Sequence, residues 1–206
     1  NHFISFISGI SMLGVALGVA ALIVVLSVMN GFQKELRGRI LSVVSHIQIQ
    51  GASGELGDWP RVVGQAEKHP AVKAAAPFVQ AQGMLSFNQN VRGAMVRGVL
   101  PDQEDKVADF RPHMKSGSFD ALVPDSFGIV LGSELARALG VFMGDKVTLI
   151  APQGVVTPAG VVPRLKTFTV VGIFEVGMFE YDNGLALVAM ADAQKLYRME
   201  DRVSAV

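Results

Sequence analysis

The residue types that most often carry enzymatic or metal chemistry are few and scattered in this sequence. The four histidines are far apart, and none has a second histidine or a carboxylate at metal-ligand spacing. The chain has no cysteine, which excludes disulfides, thiolate metal sites and a cysteine nucleophile. No G-x-S-x-G elbow is present, and no nucleophile is paired with a base. We therefore expect surface or capping roles for His2, His46, His69 and His113.

A phosphate-binding loop is also missing from the pattern. The nearest approach is GVFMGDK at residues 140–146, which is one residue short between its glycines and has Asp145 before Lys146. It follows a predicted helix rather than a strand, so we interpret it as a turn. The sequence predicts no nucleotide site and no cofactor on this chain.

One segment with unusual chemistry is PQGVVTPAGVVPRLK, at residues 152–166. Its three prolines and two glycines argue against a continuous strand or helix, and its valines are too apolar for a solvated loop. The flanks at 147–150 and 168–174 have the character of strands, so we predict a long arm between two strands, a type of loop that is usually functional. Either the valines pack back on the domain, or they contact a partner with Arg164 and Lys166 as polar anchors at the base.

The element at the N-terminal end of the sequence is an apolar helix. Residues 3–33 contain no Asp, Glu, Lys or Arg, so all 18 basic and 18 acidic residues follow from Lys34 onward. A helix over residues 3–29 would be about 40 Å long, more than the ~30 Å hydrocarbon core of a bilayer. A cleaved signal peptide is the alternative, but its apolar region would be roughly half as long. We predict a membrane anchor followed by a soluble domain.

After the apolar run, the helical spacing of Phe32, Leu36 and Ile40 predicts that the helix continues as a stalk to residue 44. Three basic residues against one acidic residue at 34–39 make this flank positive. Counted literally, the positive-inside rule would place the soluble domain in the cytoplasm. Because the chain does not begin with Met, we expect a further flank before the first residue, whose charge would decide the orientation, and we therefore discount the rule.

From about residue 45 onward the pattern predicts an α+β domain with a mixed or antiparallel sheet. Strands are expected near 47–50, 72–82, 84–87, 91–99, 128–131, 147–150, 168–174, 185–190 and from 203, with helices at 58–68, 133–139 and 192–199. Gly140 is expected to end the helix at 133–139, and residues 101–124 are expected to form a polar surface connection. A net charge of zero gives no basic stripe for nucleic acid.

Four motifs carry a resemblance to a known family. They are VMNGFQKELRGRIL at 28–41, IVLGSELARALGV at 129–141, GDKV at 144–147 and FTVVGIF at 168–174. These segments resemble the lipoprotein-releasing permeases of the Lol system, the LolC/LolE type. More broadly, the domain is similar to the periplasmic core of MacB-type transporters, in which a porter subdomain carries an inserted subdomain called the sabre.

The resemblance implies a division of the chain. Residues 1–44 would be the first transmembrane helix and stalk, and 45–206 the periplasmic domain. The porter would cover about 45–100 and 168–206, and the sabre about 101–167, including a hook loop at 152–166. Family permeases have four transmembrane helices, so the resemblance implies that this chain is the N-terminal half of a larger protein.

The resemblance also implies a function, a location and partners. The chain would be a non-catalytic permease subunit in the bacterial inner membrane, with its soluble domain in the periplasm. A separate LolD-like cytoplasmic ATPase and a second permease subunit, LolE-like or a second copy, would complete the complex. Lipoprotein cargo would pass to a LolA-like periplasmic carrier. LolE-like members lack the hook, so its presence favours a LolC-like or LolF-like subunit.

Two groups of residues are candidate binding sites on this interpretation. Acyl chains of cargo would need an adaptable apolar wall, which Val25, Met29 and Phe32 supply at helical spacing. The alternative is that these three side chains face lipid or another helix. The hook residues expected to bind the carrier are Pro152, Val155, Val156, Thr157, Pro158, Gly160, Val161, Val162, Pro163, Arg164 and Lys166.

Alternative functions remain open from the sequence. A MacB-like efflux permease would dock a different partner and would not need the hook. A membrane-anchored sensor or scaffold without a transport cycle would need only one membrane helix. A hydrolase is the least supported alternative, because no nucleophile and base are paired.

Overall fold

The computed structural model describes residues 2–43, 47–52, 54–157 and 160–206. The chain divides into two compact units, Asn1–Leu41 and Ser42–Val206. The first unit contains one long helix, and the second contains the sheet and the remaining helices. The predicted α+β class is confirmed. The finer division of the domain into porter and sabre stays a prediction.

The first unit consists of the helix α1, His2–Val43, which is continuous over 42 residues and whose last two residues belong to the second unit. Within it, Phe6–Gln33 is a 28-residue stretch with a mean hydropathy of 2.7, long and apolar enough to cross a membrane. Its side chains are exposed to the surroundings rather than buried in protein. The helix thus continues beyond the apolar stretch as far as Val43, and Val44 lies outside the described residues. The assignment of its last part as a stalk stays a prediction.

The second unit is built on one seven-stranded sheet. Its strands are β1 Val79–Phe87, β2 Asn90–Val99, β3 Met114–Gly117, β4 Gly128–Gly132, β5 Lys146–Thr157, β6 Gly160–Phe174 and β7 Leu185–Ala189. They lie in the order β3-β6-β4-β7-β2-β1-β5. An additional pairing of β5 with β6 joins strands that are far apart in this order, so six of the strands form a closed ring of neighbours. Most pairs are antiparallel, but β2 with β7 and β4 with β6 are parallel.

Five shorter helices pack on or beside this sheet: α2 Trp59–Ala66, α3 Pro101–Glu104, α4 Ser133–Leu139, α5 Phe179–Gly184 and α6 Met190–Tyr197. The larger hydrophobic core lies between the sheet and the buried faces of α4 and α6. Gly140 ends α4 in the left-handed conformation, with φ of +75°, as the sequence predicted. A Cβ at Gly98 would lie 2.5 Å from the Cβ of Ala193, so glycine lets α6 approach β2 closely.

The prediction that residues 101–124 form a polar surface connection is wrong. This segment contains α3 and β3 and supplies Phe110 and Phe119 to a second, fully buried core cluster. The Phe110 ring lies 5.8 Å from the Phe119 ring and 5.5 Å from that of Phe174 on β6. The apolar residues are spaced irregularly among acidic ones, so no helical or strand period revealed the buried face.

The same segment contributes a buried ion pair. Glu104, at the end of α3, is fully buried and lies 2.9 Å from the guanidinium of Arg97 on β2. That guanidinium also lies 4.0 Å from the centre of the Phe78 ring. Burial raises the pKa of the Glu104 carboxyl, and the nearby Arg97 charge opposes this shift without cancelling it. The ion pair therefore connects α3 to the sheet, although burial of the charged carboxylate is unfavourable.

Candidate functional site

The segment at 152–166 is a β-hairpin rather than an irregular arm. β5 extends through Thr157 and β6 begins at Gly160, so both strands continue into the predicted loop. Their ladder runs from Lys146 opposite Thr169 to Thr157 opposite Gly160. The prediction that prolines and glycines exclude strand structure here is wrong. We call residues 152–166 the hairpin arm.

The ladder accommodates the prolines because it is interrupted where two of them lie. Ala151 is opposite Arg164 and Val155 is opposite Val162, so three residues of β5 face only Pro163 of β6. Pro152 is one of those three. Proline has no N–H to donate to a ladder and is tolerated at such bulges. The interruption separates an inner ladder at 146–151 from an outer ladder at 155–157.

Where the side chains of the hairpin arm are described, its apolar residues are exposed. Val162 is 53% exposed, and Pro152 and Pro163 are exposed as well. For part of the predicted hook, only the backbone is described: Val155, Val156, Thr157, Gly160 and Val161. Pro158 lies outside the described residues. The assignment of carrier-binding roles to these residues stays a prediction.

An apolar row extends from the arm across the outer surface of the sheet. Leu165 of β6 is opposite Ile150 of β5, which is in turn opposite Met84 of β1. Directly opposed residues lie on the same face of a sheet. Leu165 is 61% exposed and Met84 is 44% exposed, so the row is accessible. Apolar surface is therefore available at the root of the arm as well as on Val162.

The two basic side chains at the root contact their own domain. Side chains alternate along a strand, so Arg164 and Lys166 lie on the opposite face of β6 from Leu165. Arg164 Nη1 donates to the carbonyl oxygen of Leu196 at 3.3 Å. The Lys166 ammonium lies 3.8 Å from the centre of the Phe127 ring, a cation–π contact. In the structure, these two residues, which the sequence predicted as anchors for a partner, contact the domain itself.

A shallow cavity lies beside the start of the arm. It has a volume of about 410 Å³ and is lined by Pro152, Gln80, Gln82, Met95 and Tyr197, together with Ala81. The Tyr197 hydroxyl donates to the carbonyl oxygen of Gln82 at 3.2 Å. Burial raises the pKa of Tyr197 to about 12, so the phenol keeps its proton and remains a donor. The cavity wall on this side is held by a hydrogen bond.

The described part of the chain offers no cluster of three His, Asp or Glu side chains that could hold a metal ion. His69 Nδ1 accepts a hydrogen bond from the backbone N–H of Ala71 at 3.2 Å, a local capping contact. His113 Nδ1 lies 2.6 Å from the carbonyl oxygen of Asp109. Both contacts agree with the surface or capping roles expected from the sequence, whereas the side chain of His2 and the whole of His46 lie outside the described residues.

The predicted cargo residues lie on α1. Val25, Met29 and Phe32 are separated by four and three positions and therefore share one face of the helix. All three are exposed. Their accessibility agrees equally with a lipid-facing and a cargo-facing surface, so the cargo assignment stays a prediction.

Sequence reasoning missed the hairpin and the apolar row. A signal for the hairpin was present, because the Val-Val pairs at 155–156 and 161–162 flank a short Pro- and Gly-containing turn. The row was not visible in the sequence, since it depends on the register of three strands that are far apart in the chain.

Comparisons with known proteins agree with the motifs. The family model of the MacB-like periplasmic core domain matches residues 8–206. A lipoprotein-releasing system transmembrane protein LolC from Neisseria meningitidis is 49% identical over 204 residues, covering 99% of this chain and 49% of that protein. A LolE protein of the same system from Haemophilus influenzae is 31% identical, covering 100% of this chain and 50% of that protein. The resemblance predicted from the motifs is confirmed.

The fold also has a solved counterpart. The extracellular domain of the noncanonic ABC-type transporter YknZ from Gram-positive bacteria has a TM-score of 0.51 and 9% identity. The match covers 77% of this chain and 81% of that domain. At this identity the likeness concerns the fold alone. The chain spans about half the length of the curated relatives it matches.

Proposed function

The chain belongs to the family of the MacB-like periplasmic core domain, and from this premise we propose that it forms part of a lipoprotein-releasing permease in the bacterial inner membrane. Relatives that are 49% and 31% identical carry the names of transmembrane proteins of the lipoprotein-releasing system. The helix α1 would anchor the chain, and the sheet domain would lie in the periplasm. The chain itself would perform no catalysis.

The observation that carries the proposal is the hairpin arm with its exposed apolar residues. Val162 and Leu165 are more than half exposed on a projection of the sheet. Such residues contribute hydrophobic stabilisation only when a partner buries them, at roughly 1.5 kcal/mol or more for a fully buried aliphatic side chain. We assign the arm to the capture of a LolA-like periplasmic carrier. The carrier would receive the lipoprotein released by the complex.

The transport cycle would need other chains. The energy would come from a LolD-like cytoplasmic ATPase, and a LolE-like permease or a second copy of this chain would complete the membrane part. Lipoprotein cargo would contact the face of α1 that carries Val25, Met29 and Phe32. The flexible Met29 side chain suits acyl chains that differ in shape.

Site-specific photo-crosslinking of the full chain tests the proposal. Benzoylphenylalanine at Val162 should capture a LolA-type carrier on irradiation of the chain in detergent micelles with purified carrier. The matched control is benzoylphenylalanine at Val123, which is 54% exposed against 53% for Val162 but lies outside the hairpin arm. We expect crosslinking at Val162 and none at Val123.

Two results would count against this assignment. Equal crosslinking at both positions would indicate non-specific contact between the carrier and exposed apolar residues. No crosslinking at either position would favour a permease that docks a different partner, as in the MacB-like alternative.

A further inference from the structure

The side chain of Arg164 occupies a defined place at the root of the hairpin arm. It belongs to the last regular pair of the inner ladder, opposite Ala151. Its side chain is half-buried and its Nη1 donates to the carbonyl oxygen of Leu196 at 3.3 Å. The Nε atom is buried without a hydrogen-bond partner among the described residues. Arg164 is thus inserted into the domain and is directed away from the exposed row at Leu165.

The acceptor of this hydrogen bond is the end of a helix. Leu196 lies in the last turn of α6, where backbone carbonyls lack partners within the helix. A cation near these carbonyls supplies a donor and interacts favourably with the negative end of the helix dipole. Arg164 therefore caps α6 from a strand that is more than 30 residues away in the sequence.

The helix that receives Arg164 is firmly held. Ala193, Leu196 and Tyr197 of α6 are buried in the larger core. The Tyr197 hydroxyl is hydrogen-bonded to Gln82 of β1 at 3.2 Å. The carbonyl of Leu196 is consequently a fixed point relative to the sheet.

Beyond Arg164 the ladder is interrupted. Residues 152–154 face only Pro163, so the regular pairing that would otherwise fix the arm is absent over this stretch. The outer ladder has few pairs of its own. The direction of the outer arm is therefore set mainly by the last fixed contact before the interruption, and that contact is made by Arg164.

We propose that Arg164 is a positioning residue, which fixes the direction of the hairpin arm by tethering its root to the end of α6. Its consequence for carrier capture rests on the proposed function. A fixed arm loses less conformational freedom on binding, and preorganisation of this kind raises affinity. The geometric part of the proposal concerns this chain alone.

The geometric part is tested by the distance distribution between two spin labels. The chain has no cysteine, so labels at Val162→Cys and Val91→Cys are specific. Double electron–electron resonance on the full chain in detergent micelles should give a narrow distribution with Arg164 present. Arg164→Met keeps an apolar stem without donors and should broaden it. Arg164→Lys restores a cation and a donor and should recover much of the narrow distribution.

The control variant is Arg61→Ala, which removes an exposed arginine whose partner among the described residues is the neighbouring Asp58. It should leave the distribution unchanged. An unchanged distribution in Arg164→Met, with Trp59 fluorescence showing a folded domain, would overturn the positioning role. Broadening that Arg164→Lys does not reduce at all would overturn the tether as its cause.

Carrier affinity separates the two proposals. In unlabelled chain, Arg164→Met should weaken binding of a purified LolA-type carrier by about tenfold, and Arg164→Lys should recover most of the loss. Failure of the unsubstituted chain to bind carrier would overturn the proposed function, while the spin-label result still decides the positioning role. Equal carrier affinity in all three chains would overturn the consequence for capture.

Discussion

At the scale of single residues, Glu104 shows how this domain places a charge in its interior. The carboxyl is fully buried and lies 2.9 Å from the guanidinium of Arg97. The two side chains are not equally buried, since Arg97 retains 12% exposure. Desolvation of a carboxylate disfavours its charged form, and an adjacent cation favours it. Burial is the larger effect here, so the pKa of Glu104 is raised.

The raised pKa has a definite consequence for stability. Between the ordinary pKa of glutamate and the raised value in the folded chain, the folded state binds more protons than the unfolded state. The free energy of unfolding therefore falls as the pH rises through this interval, and the contribution of protonated Glu104 is fully present below it. This is the opposite of the behaviour of a carboxylate stabilised by a salt bridge.

The substitution Glu104→Gln tests this sign. Gln is neutral at every pH and nearly isosteric with protonated Glu. We expect the variant and the unsubstituted chain to be about equally stable near pH 4, with the variant more stable near pH 7. Urea unfolding of the full chain in micelles, followed by the fluorescence of its single tryptophan, measures the difference at each pH. The contrary result is a variant that is less stable than the unsubstituted chain at pH 7 and about equally stable at pH 4. It would show that attraction to Arg97 outweighs burial.

Single residues differ in how far the sequence revealed them. The role of Gly140 was predictable, because glycine after an apolar-periodic helix has one strong local explanation. The burial of Glu104 was not, since an acidic residue in a polar stretch reads as exposed. Its burial depends on the tertiary fold, which also buries Phe110 and Phe119 of the same segment in the second core cluster.

At the scale of elements, α1 presents a face whose partner can be identified by experiment. Val25, Met29 and Phe32 lie on one side, and Ser27 lies on the opposite side at a similar depth along the helix. If the first face contacts cargo, benzoylphenylalanine at Met29 should capture lipoprotein when the assembled permease is irradiated. The same group at Ser27 should capture much less.

This comparison has a clear contrary outcome. Equal capture of lipoprotein at Met29 and Ser27 would mean that α1 has no cargo-specific face. Labelling at Met29 of other membrane helices alone would assign this face to helix packing.

The hairpin is the element that the sequence predicted least well. Proline has no backbone N–H to donate to a β-ladder, and this local rule led to the prediction of an irregular arm. The rule holds at Pro152 and Pro163, where the ladder is interrupted. It fails for the segment as a whole, because a bulge confines the effect of proline to a few residues and pairing resumes at Val155.

At the scale of the whole molecule, the chain is a membrane-length helix and a sheet domain with two buried clusters. The apolar helix, the fold class and the family were predictable, because each depends on composition, period or a contiguous motif. The order of the sheet was not, since β5 pairs with both β1 and β6 and so closes a ring across distant parts of the chain. The apolar row next to the hairpin arm depends on this closure, because it crosses β6, β5 and β1.

The central claim is that the hairpin arm captures a lipoprotein carrier, and deletion of its outer ladder tests it most directly. Removing residues 155–162 and joining Gly154 to Pro163 through Gly-Ser keeps the inner ladder from Lys146 to Ala151. The domain should stay folded, because every residue described in the two buried clusters lies outside the deleted segment. Circular dichroism and Trp59 fluorescence of the full chain in micelles would check this.

The decisive measurement is isothermal titration calorimetry of the deletion variant and the unsubstituted chain with a purified LolA-type carrier. The removed segment contains four valines, which could contribute several kcal/mol before the costs of binding, at roughly 1.5 kcal/mol or more each. We expect binding by the unsubstituted chain and no measurable binding by the folded deletion variant. Carrier affinity in the variant within about twofold of the unsubstituted value, a difference near 0.4 kcal/mol, would contradict the claim.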